Sequence, residues 1–115
     1  MAAGRFGLTE DDLEKLYNVF ERHPQVREVI IYGSRAKGTH RPGSDIDLTI
    51  VGDVDWQAFN QLELDLDDLL LPYKIDLSLH EHIDHADLKA HIERVGQTLF
   101  CAEQRPTYSP EPARD

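Results

Sequence analysis

Hydrophobic residues recur at helical and strand periods along most of the chain, and the pattern predicts alternating helices and strands. Apolar residues spaced three or four apart predict helices over 9–22, 55–71 and 84–95. Runs rich in β-branched and apolar residues predict strands over 26–32, 45–51 and 74–79. Strands interleaved with helices form a sheet covered by helices, so we expect an α/β fold. Its sheet is expected to be small, with three strands or slightly more, and the connection lengths leave open whether it is parallel or mixed.

Capping residues and prolines predict where these helices begin and end. Thr9, followed three residues later by Asp12, is typical of a capping box at the start of the first helix. Pro24 and Pro72 follow the ends of the first and second helices, because the residue before a proline disfavours helical geometry. Gly96 is predicted to cap the third helix.

The C-terminal residues differ in composition from the rest of the chain. The segment 105–115 contains three of the six prolines and has no apolar periodicity. Such a segment buries too little apolar surface to fold, so we expect a disordered tail there. The chain has 115 residues, which suits one domain, and we predict that this domain covers 1–104.

Charge and hydropathy narrow the function classes. The chain has 22 acidic against 12 Lys and Arg residues and a net charge of −10, so nucleic acid is not expected as a partner. No apolar run approaches the roughly 20 residues that span a membrane, and we expect no membrane association. The N-terminus lacks the apolar stretch of a signal peptide, and the single cysteine excludes an internal disulfide. A cytoplasmic location is therefore expected.

Acidic residues recur at strand period on two predicted strands. Asp45, Asp47 and Thr49 share one face of the second strand, and Asp76 and Ser78 share one face of the third. If these strands are neighbours, three carboxylates converge on one face. A solvated strand face is the simpler interpretation of one such pair. A third carboxylate in phase makes a site for a divalent cation such as Mg²⁺, which prefers oxygen ligands, an equally good interpretation.

A glycine-bearing loop follows the first strand directly. It begins at Gly33–Ser34 and carries the basic residues Arg35 and Lys37. Glycine allows close backbone approach and serine offers a hydroxyl, which suits a phosphate, although an ordinary turn has the same composition. The loop is not a Walker A motif, because Thr39 stands where that motif requires lysine.

The two features together form a pattern: Gly33–Ser34, ten intervening residues, Asp45-Ile46-Asp47, and Asp76 on a later strand. This pattern resembles the DNA polymerase β-type nucleotidyltransferase superfamily. More narrowly, the segment IYGSRAKGTHRPGSDIDLTI looks like the minimal nucleotidyltransferase (MNT) proteins. These are single-domain chains usually encoded beside a helical HEPN-domain partner. The resemblance implies the polymerase β-type nucleotidyltransferase fold, with a small mixed sheet flanked by helices.

The resemblance also implies a role for each carboxylate. Asp45 and Asp47 would coordinate two Mg²⁺ ions, one of which carries the triphosphate. Asp76 would complete the catalytic metal site and help activate the acceptor hydroxyl. A two-metal clamp of this kind neutralises charge when a nucleotide is transferred and pyrophosphate leaves.

The loop residues acquire roles from the same resemblance. Gly33 and Ser34 would hold the β- and γ-phosphates of a nucleoside triphosphate, with ATP as the expected substrate. Arg35 and Lys37 would stabilise charge near the phosphates. The resemblance thus implies a Mg²⁺-dependent nucleotidyltransferase that acts in a toxin–antitoxin pair.

Other chemistry in the sequence is weaker. His80, His82 and His85 could together bind a transition metal, or could form a polar loop between strand and helix. Cys101 is more typical of a buried thiol than of a nucleophile. Ser34 lacks the surrounding motif of a hydrolase nucleophile.

The acceptor is left open among three hypotheses. The first is transfer of AMP from ATP to a hydroxyl on a HEPN-type partner from the adjacent gene. The second is a non-catalytic module that neutralises a helical partner. The third is a small-molecule nucleotidyltransferase, for instance one that modifies a cationic aminoglycoside.

Overall fold

A computed structural model describes residues 6–41 and 43–102 of the chain. Within them, four helices and four strands alternate in sequence. They are α1 (Glu10–Glu21), β1 (Val26–Tyr32), α2 (Ser34–Lys37), β2 (Ile46–Gly52), α3 (Trp56–Asp67), β3 (Ile75–Leu79), α4 (Ala86–Val95) and β4 (Gln97–Cys101). A 3₁₀ turn over His80–His82 joins β3 to the loop before α4. No helix of this described part is long and apolar enough to cross a bilayer.

The strands form one mixed sheet in the order β3-β2-β1-β4. Strand β1 pairs antiparallel with both β2 and β4, and β2 pairs parallel with β3. The expected small mixed sheet flanked by helices is therefore confirmed. The sheet has a fourth strand, β4, beyond the three that the sequence pattern predicted individually. The pattern did not indicate β4 because this strand has only five residues and follows α4 directly at Gly96. The predicted tail over 105–115 lies outside the described residues.

The two faces of the sheet bury different clusters. The larger core contains the inward residues of β2 (Ile46, Leu48 and Ile50), packed with residues of α1 and α3. On the opposite face, a smaller cluster joins Tyr32 of β1 to Ile92 of α4. Because side chains alternate across a strand, the acidic residues of β2 and β3 lie on the face of this smaller cluster.

The helix ends largely follow the predicted caps. Thr9 and Asp12 form the capping box: the Asp12 N–H donates to Thr9 Oγ1 at 3.0 Å, and the Thr9 N–H donates to Asp12 Oδ2 at 3.2 Å. Gly96 is the C-cap of α4 and donates its N–H to the Ile92 carbonyl at 2.7 Å. Helix α3 ends at Asp67, four residues before the predicted end at Leu71.

Candidate functional site

The parallel pairing of β2 and β3 brings two predicted carboxylates side by side. Asp47 and Asp76 are Cα partners in this register, and Tyr32 is the partner of Asp47 on the other side, in β1. Asp47 is half-buried and Asp76 is exposed. Asp45 is also exposed and directly precedes β2, although the sequence pattern placed it at the start of the strand. The expected convergence is therefore present for Asp47 and Asp76, with Asp45 at the margin.

The turn after β1 lies directly against Asp47. Gly33 has a φ of 78° and a ψ of −155°, a region open essentially to glycine alone. A Cβ atom on Gly33 would overlap Asp47 Oδ2 and would lie 3.2 Å from Asp47 Cγ. Glycine is thus required here by both the backbone and the neighbouring carboxylate. The Gly33–Ser34 turn and Asp47 form one compact site.

The carboxylates repel one another in the folded chain. Burial raises the pKa of Asp47, and the negative charges of Asp76 and then Asp45 raise it further. His91 and Arg35 act in the opposite direction on this pKa, with smaller effect. Among the described residues, none of the three carboxylates forms an ion pair with Lys, Arg or His. The site therefore holds uncompensated negative charge.

A divalent cation fits this donor set. Uncompensated carboxylates on adjacent strands provide hard oxygen ligands, and a cation would relieve their repulsion. Within residues 6–41 and 43–102, no three His, Cys, Asp or Glu side chains are already arranged to hold a metal ion. Mutual repulsion and the exposed position of Asp45 are consistent with a site completed only when cation and phosphates contribute.

The segment after Gly33 folds as the short helix α2. Ser34 is its first residue and is half-buried, whereas Lys37 is exposed in its last turn. Gly38 caps the helix in the left-handed conformation, with a φ of 81°. The Gln97 side chain of β4 donates to the Ala36 carbonyl at 2.9 Å and so ties α2 to the sheet.

Arg35 occupies a different position from the one expected of a phosphate contact. Only 3% of its surface is exposed. Its Nε and Nη2 atoms donate to the Ser44 carbonyl at 3.1 and 2.8 Å, and Nη1 donates to the Phe6 carbonyl at 2.9 Å. The guanidinium therefore joins the Gly-Ser turn to the residue immediately before Asp45.

Contacts beneath Arg35 extend this connection to α1. The guanidinium carbon of Arg35 lies 4.7 Å from the ring centroid of Tyr73. The Tyr73 hydroxyl donates to Asp12 Oδ2 at 3.2 Å, and Asp12 belongs to the capping box of α1. Arg35 is thus held by a buried network on the side of the sheet opposite Asp47.

Sequence reasoning missed two polar residues that the structure brings to the carboxylates, Tyr32 and His91, although it had placed Ser78 on the same strand face as Asp76. Tyr32 is buried beside them, and burial, followed by the charges of Asp76 and Asp47, raises its pKa against the opposing hydrogen bond from Ser78. His91 of α4 lies with its ring centroid 6.2 Å from that of Tyr32. The strand period could have found Tyr32, but nothing in the sequence shows that α4 packs on this face.

The three histidines that follow β3 (His80, His82 and His85) make contacts other than a shared metal site. His82 packs against Trp56 in a tilted arrangement, with ring centroids 4.9 Å apart. His85 is the N-cap of α4, and its Nδ1 accepts the Leu88 N–H at 3.2 Å. The 3₁₀ turn also prevents His80 and His82 from projecting together as they would from a strand. Cys101 is a half-buried free thiol at the end of β4.

A sequence profile described as polymerase beta, nucleotidyltransferase matches residues 14–105. This range includes the Gly-Ser turn, all three carboxylates and the whole sheet. The chain belongs to the polymerase β nucleotidyltransferase family. It is therefore a nucleotidyltransferase, as its motif implies. A search of curated proteins found no matching relative.

Solved structures similar to this nucleotidyltransferase include toxin–antitoxin complexes. One is a toxin–antitoxin with AMP-PNP, at a TM-score of 0.64 and 23% identity over 81% of this chain and 76% of that chain. Another is the MntA–HepT toxin–antitoxin, with a TM-score of 0.57 and 20% identity. The match covers 80% of this chain and 72% of that chain. A third is a tri-AMPylated Shewanella oneidensis HEPN toxin with MNT antitoxin, with a TM-score of 0.57 and 20% identity. The match covers 80% of this chain and 71% of that chain. At these identities the likeness establishes the shared fold.

Proposed function

We propose that this nucleotidyltransferase is of MNT type and transfers AMP from ATP to a hydroxyl group on a helical, HEPN-type partner protein. The observation that carries the proposal is the pairing of Asp47 with Asp76 beside the Gly33–Ser34 turn. Family membership supports the reaction class. The AMP-PNP of one similar complex and the tri-AMPylated HEPN toxin of another support the nucleotide and the acceptor.

In the proposed reaction, the acceptor hydroxyl oxygen attacks the α-phosphorus of ATP. The bond from the α-phosphorus to the bridging oxygen breaks, its electron pair leaves with pyrophosphate, and the hydroxyl proton is released to solvent. Asp76 is the group assigned to promote that deprotonation. Asp45 and Asp47 would hold Mg²⁺ with the triphosphate, and Asp76 would complete the second metal site. Bound Mg²⁺ supplies charge neutralisation on the phosphates.

The turn residues bind and orient the triphosphate. The Gly33 backbone and the Ser34 hydroxyl are assigned to the β- and γ-phosphates, and Lys37 supplies positive charge from the exposed side of α2. Arg35 contributes indirectly, because its guanidinium fixes the turn relative to Ser44 and hence to Asp45. Orientation of this kind lowers the entropic barrier to transfer.

The direct test incubates the chain with Mg²⁺, the protein encoded by the adjacent gene, and ATP labelled either at the α- or at the γ-phosphate. We expect α-label, and no γ-label, on the partner, and loss of transfer in Asp47→Asn. Asp53→Asn is the charge-matched control, because Asp53 is exposed just after β2. Transfer of γ-label, or neutralisation of the partner by Asp47→Asn without nucleotide, would refute the proposal. The second result would favour the binding-module hypothesis, and α-label on an aminoglycoside instead would favour the third.

A further inference from the structure

A groove lies between α3 and the edge strand β3, away from the carboxylate face. Its volume is about 760 Å³, and its floor includes Ile75 and Leu77 of β3. Leu64 and Leu70 also line it, with exposed fractions of 59% and 87%. Two of the three large hydrophobic residues exposed within the described part of the chain therefore meet in this groove. Exposed apolar residues gathered in one groove are a feature of protein interaction sites.

The groove interrupts the helical layer on the core face of the sheet. Helices α1 and α3 pack on that face, over the core that includes Leu62 and Leu66. Ile75 and Leu77, on the outermost strand, are only partly buried against this core. One more helix beside α3 would cover them and complete the layer. Helix packing therefore selects a helix as the occupant that this groove fits.

The charges around the groove select the chemistry of that helix. Glu63 and Asp67 line it from α3, which contains no Lys or Arg, and Lys74 is the basic residue on the other side. Asp67 also ends α3, where the helix dipole is negative and cations are favoured. An occupant with Lys or Arg beside its apolar residues would satisfy both features. A second copy of this chain, with a charge of −10, would bring like charges together.

The backbone at Leu70 supports a functional role for the exposed leucine. Leu70 has a φ of 54°, in the left-handed region that an ordinary side chain occupies at a cost. The residue nevertheless keeps its apolar side chain almost wholly in solvent. Burial of this side chain against a partner would remove its apolar surface from water and so stabilise the complex.

We propose that the α3–β3 groove is the docking surface for an amphipathic helix of a partner protein, whose apolar stripe is flanked by Lys or Arg. The proposal deepens the proposed function, on which it rests for the existence of a helical partner, by naming the surface that receives it. The groove lies on the sheet face opposite Asp47 and Asp76, so the docked helix leaves the carboxylates open to nucleotide, and the acceptor hydroxyl of the proposed function would come from another part of the partner that reaches round to that face.

The test uses the full chain and two fluorescent helical peptides of equal length, one of leucine and lysine and one of leucine and glutamate. We expect fluorescence anisotropy to detect binding of the leucine–lysine peptide alone. The double variant Leu64→Ser/Leu70→Ser should weaken that binding by about tenfold or more, as buried interface anchors do. Trp56→Ser removes an exposed hydrophobic residue outside the groove and should bind as the wild type does. Circular dichroism checks that every variant is folded.

Charge variants separate docking from general attraction to an acidic protein. Glu63→Gln/Asp67→Asn should weaken the peptide more than Asp84→Asn/Asp87→Asn, which removes the same charge outside the groove. Equal effects of the two charge pairs, or equal affinity of the leucine double variant and Trp56→Ser, would overturn the proposal. A dimer that light scattering detects and that Leu64→Ser/Leu70→Ser dissociates would also overturn the proposal, because a second copy would then occupy the groove. A higher affinity for the peptide in Arg105→Glu/Arg114→Glu would likewise overturn it, because the chain's own C-terminal residues would then compete for the groove.

A parallel measurement of Mg²⁺–ATP binding distinguishes the two proposals. The leucine double variant should keep the wild-type affinity for nucleotide. Groove-dependent peptide binding by a chain that binds no nucleotide would refute the proposed function and leave the docking surface intact. Nucleotide binding by a chain that shows no groove-dependent peptide binding would refute the docking surface and leave the proposed function intact.

Discussion

The carboxylate of Asp47 packs against the Cα atom of Gly33, so closely that a Cβ on Gly33 would overlap Asp47 Oδ2. These residues come from the turn after β1 and from β2, and antiparallel pairing of the two strands brings them together. The contact joins the two halves of the motif, which are separated in sequence by ten residues. It therefore provides a direct way to test whether turn and carboxylate act as one site.

We expect Gly33→Ala to abolish Mg²⁺–ATP binding, because the added methyl group would displace the Asp47 carboxylate. Gly38→Ala is the control: its φ is 81°, but a Cβ there has nothing within 4 Å. Alanine in the left-handed region costs about 1–2 kcal/mol, so Gly38→Ala should lose stability but keep nucleotide affinity. Calorimetry at a temperature where both variants are folded measures the affinities. Equal affinities would show that the contact does not matter for nucleotide binding.

The raised pKa of Asp47 predicts that its charge destabilises the metal-free fold. The folded chain holds this proton more tightly than the unfolded chain, so stability is lost as the pH rises from the ordinary carboxyl pKa through the raised one. Asp47→Asn should therefore raise the melting temperature at neutral pH, with a difference that vanishes at acidic pH. Thermal unfolding across this range without Mg²⁺ is the measurement. Asp53→Asn controls for removal of one charge, and an identical pH profile in the two variants would contradict the prediction.

Local sequence pattern was sufficient for most of the elements but not for the edges of the sheet. The apolar period of α1 and the β-branched run of β1 specify their structures locally. Strand β4 escaped prediction because Gln97 and Thr98 give it a polar start and pairing with β1 supplies what its sequence lacks. Leu70 ends the helical region with a positive φ that no residue preference indicates.

The site was predictable where strand phase decides and unpredictable where packing decides. Phase predicted that Asp47 and Asp76 would share one face if their strands were neighbours, and the structure places these strands side by side and in register. It could not show that Arg35 points into the protein, since that depends on carbonyl groups of Phe6 and Ser44 distant in sequence. The arrival of His91 at the same face likewise depends on how α4 packs.

Substitution of Arg35 should lower the stability of the fold, whereas substitution of Lys37 should lower the affinity for nucleotide. Arg35→Ala removes charged hydrogen bonds from a buried site, and we expect a loss of roughly 1.5–3 kcal/mol in unfolding free energy. Arg35→Lys should recover little of it, since lysine lacks the planar fork. Lys37→Ala, at an exposed position, should stay within about 0.5 kcal/mol of wild type yet weaken ATP severalfold. Denaturant titration and calorimetry measure both quantities; weak ATP binding by a fully stable Arg35→Ala would instead return Arg35 to the phosphates.

Asp76→Asn should separate transfer from binding. Asp76 is the exposed Cα partner of Asp47 and is assigned to the catalytic metal and the acceptor, whereas Asp45 and Asp47 are assigned to the triphosphate's metal. The substitution keeps shape and removes charge, so ATP affinity should change only a few fold while transfer falls by about 10²–10³ or more, as electrostatic stabilisers typically do. Both are measured on one preparation, with Asp53→Asn as the charge control. Near-normal transfer would show Asp76 to be an ordinary surface carboxylate. If Asp76→Asn instead loses both ATP binding and transfer, the proposed division of roles is wrong. All three carboxylates would then hold the metal of the triphosphate, and loss of ATP binding alone would explain the loss of transfer.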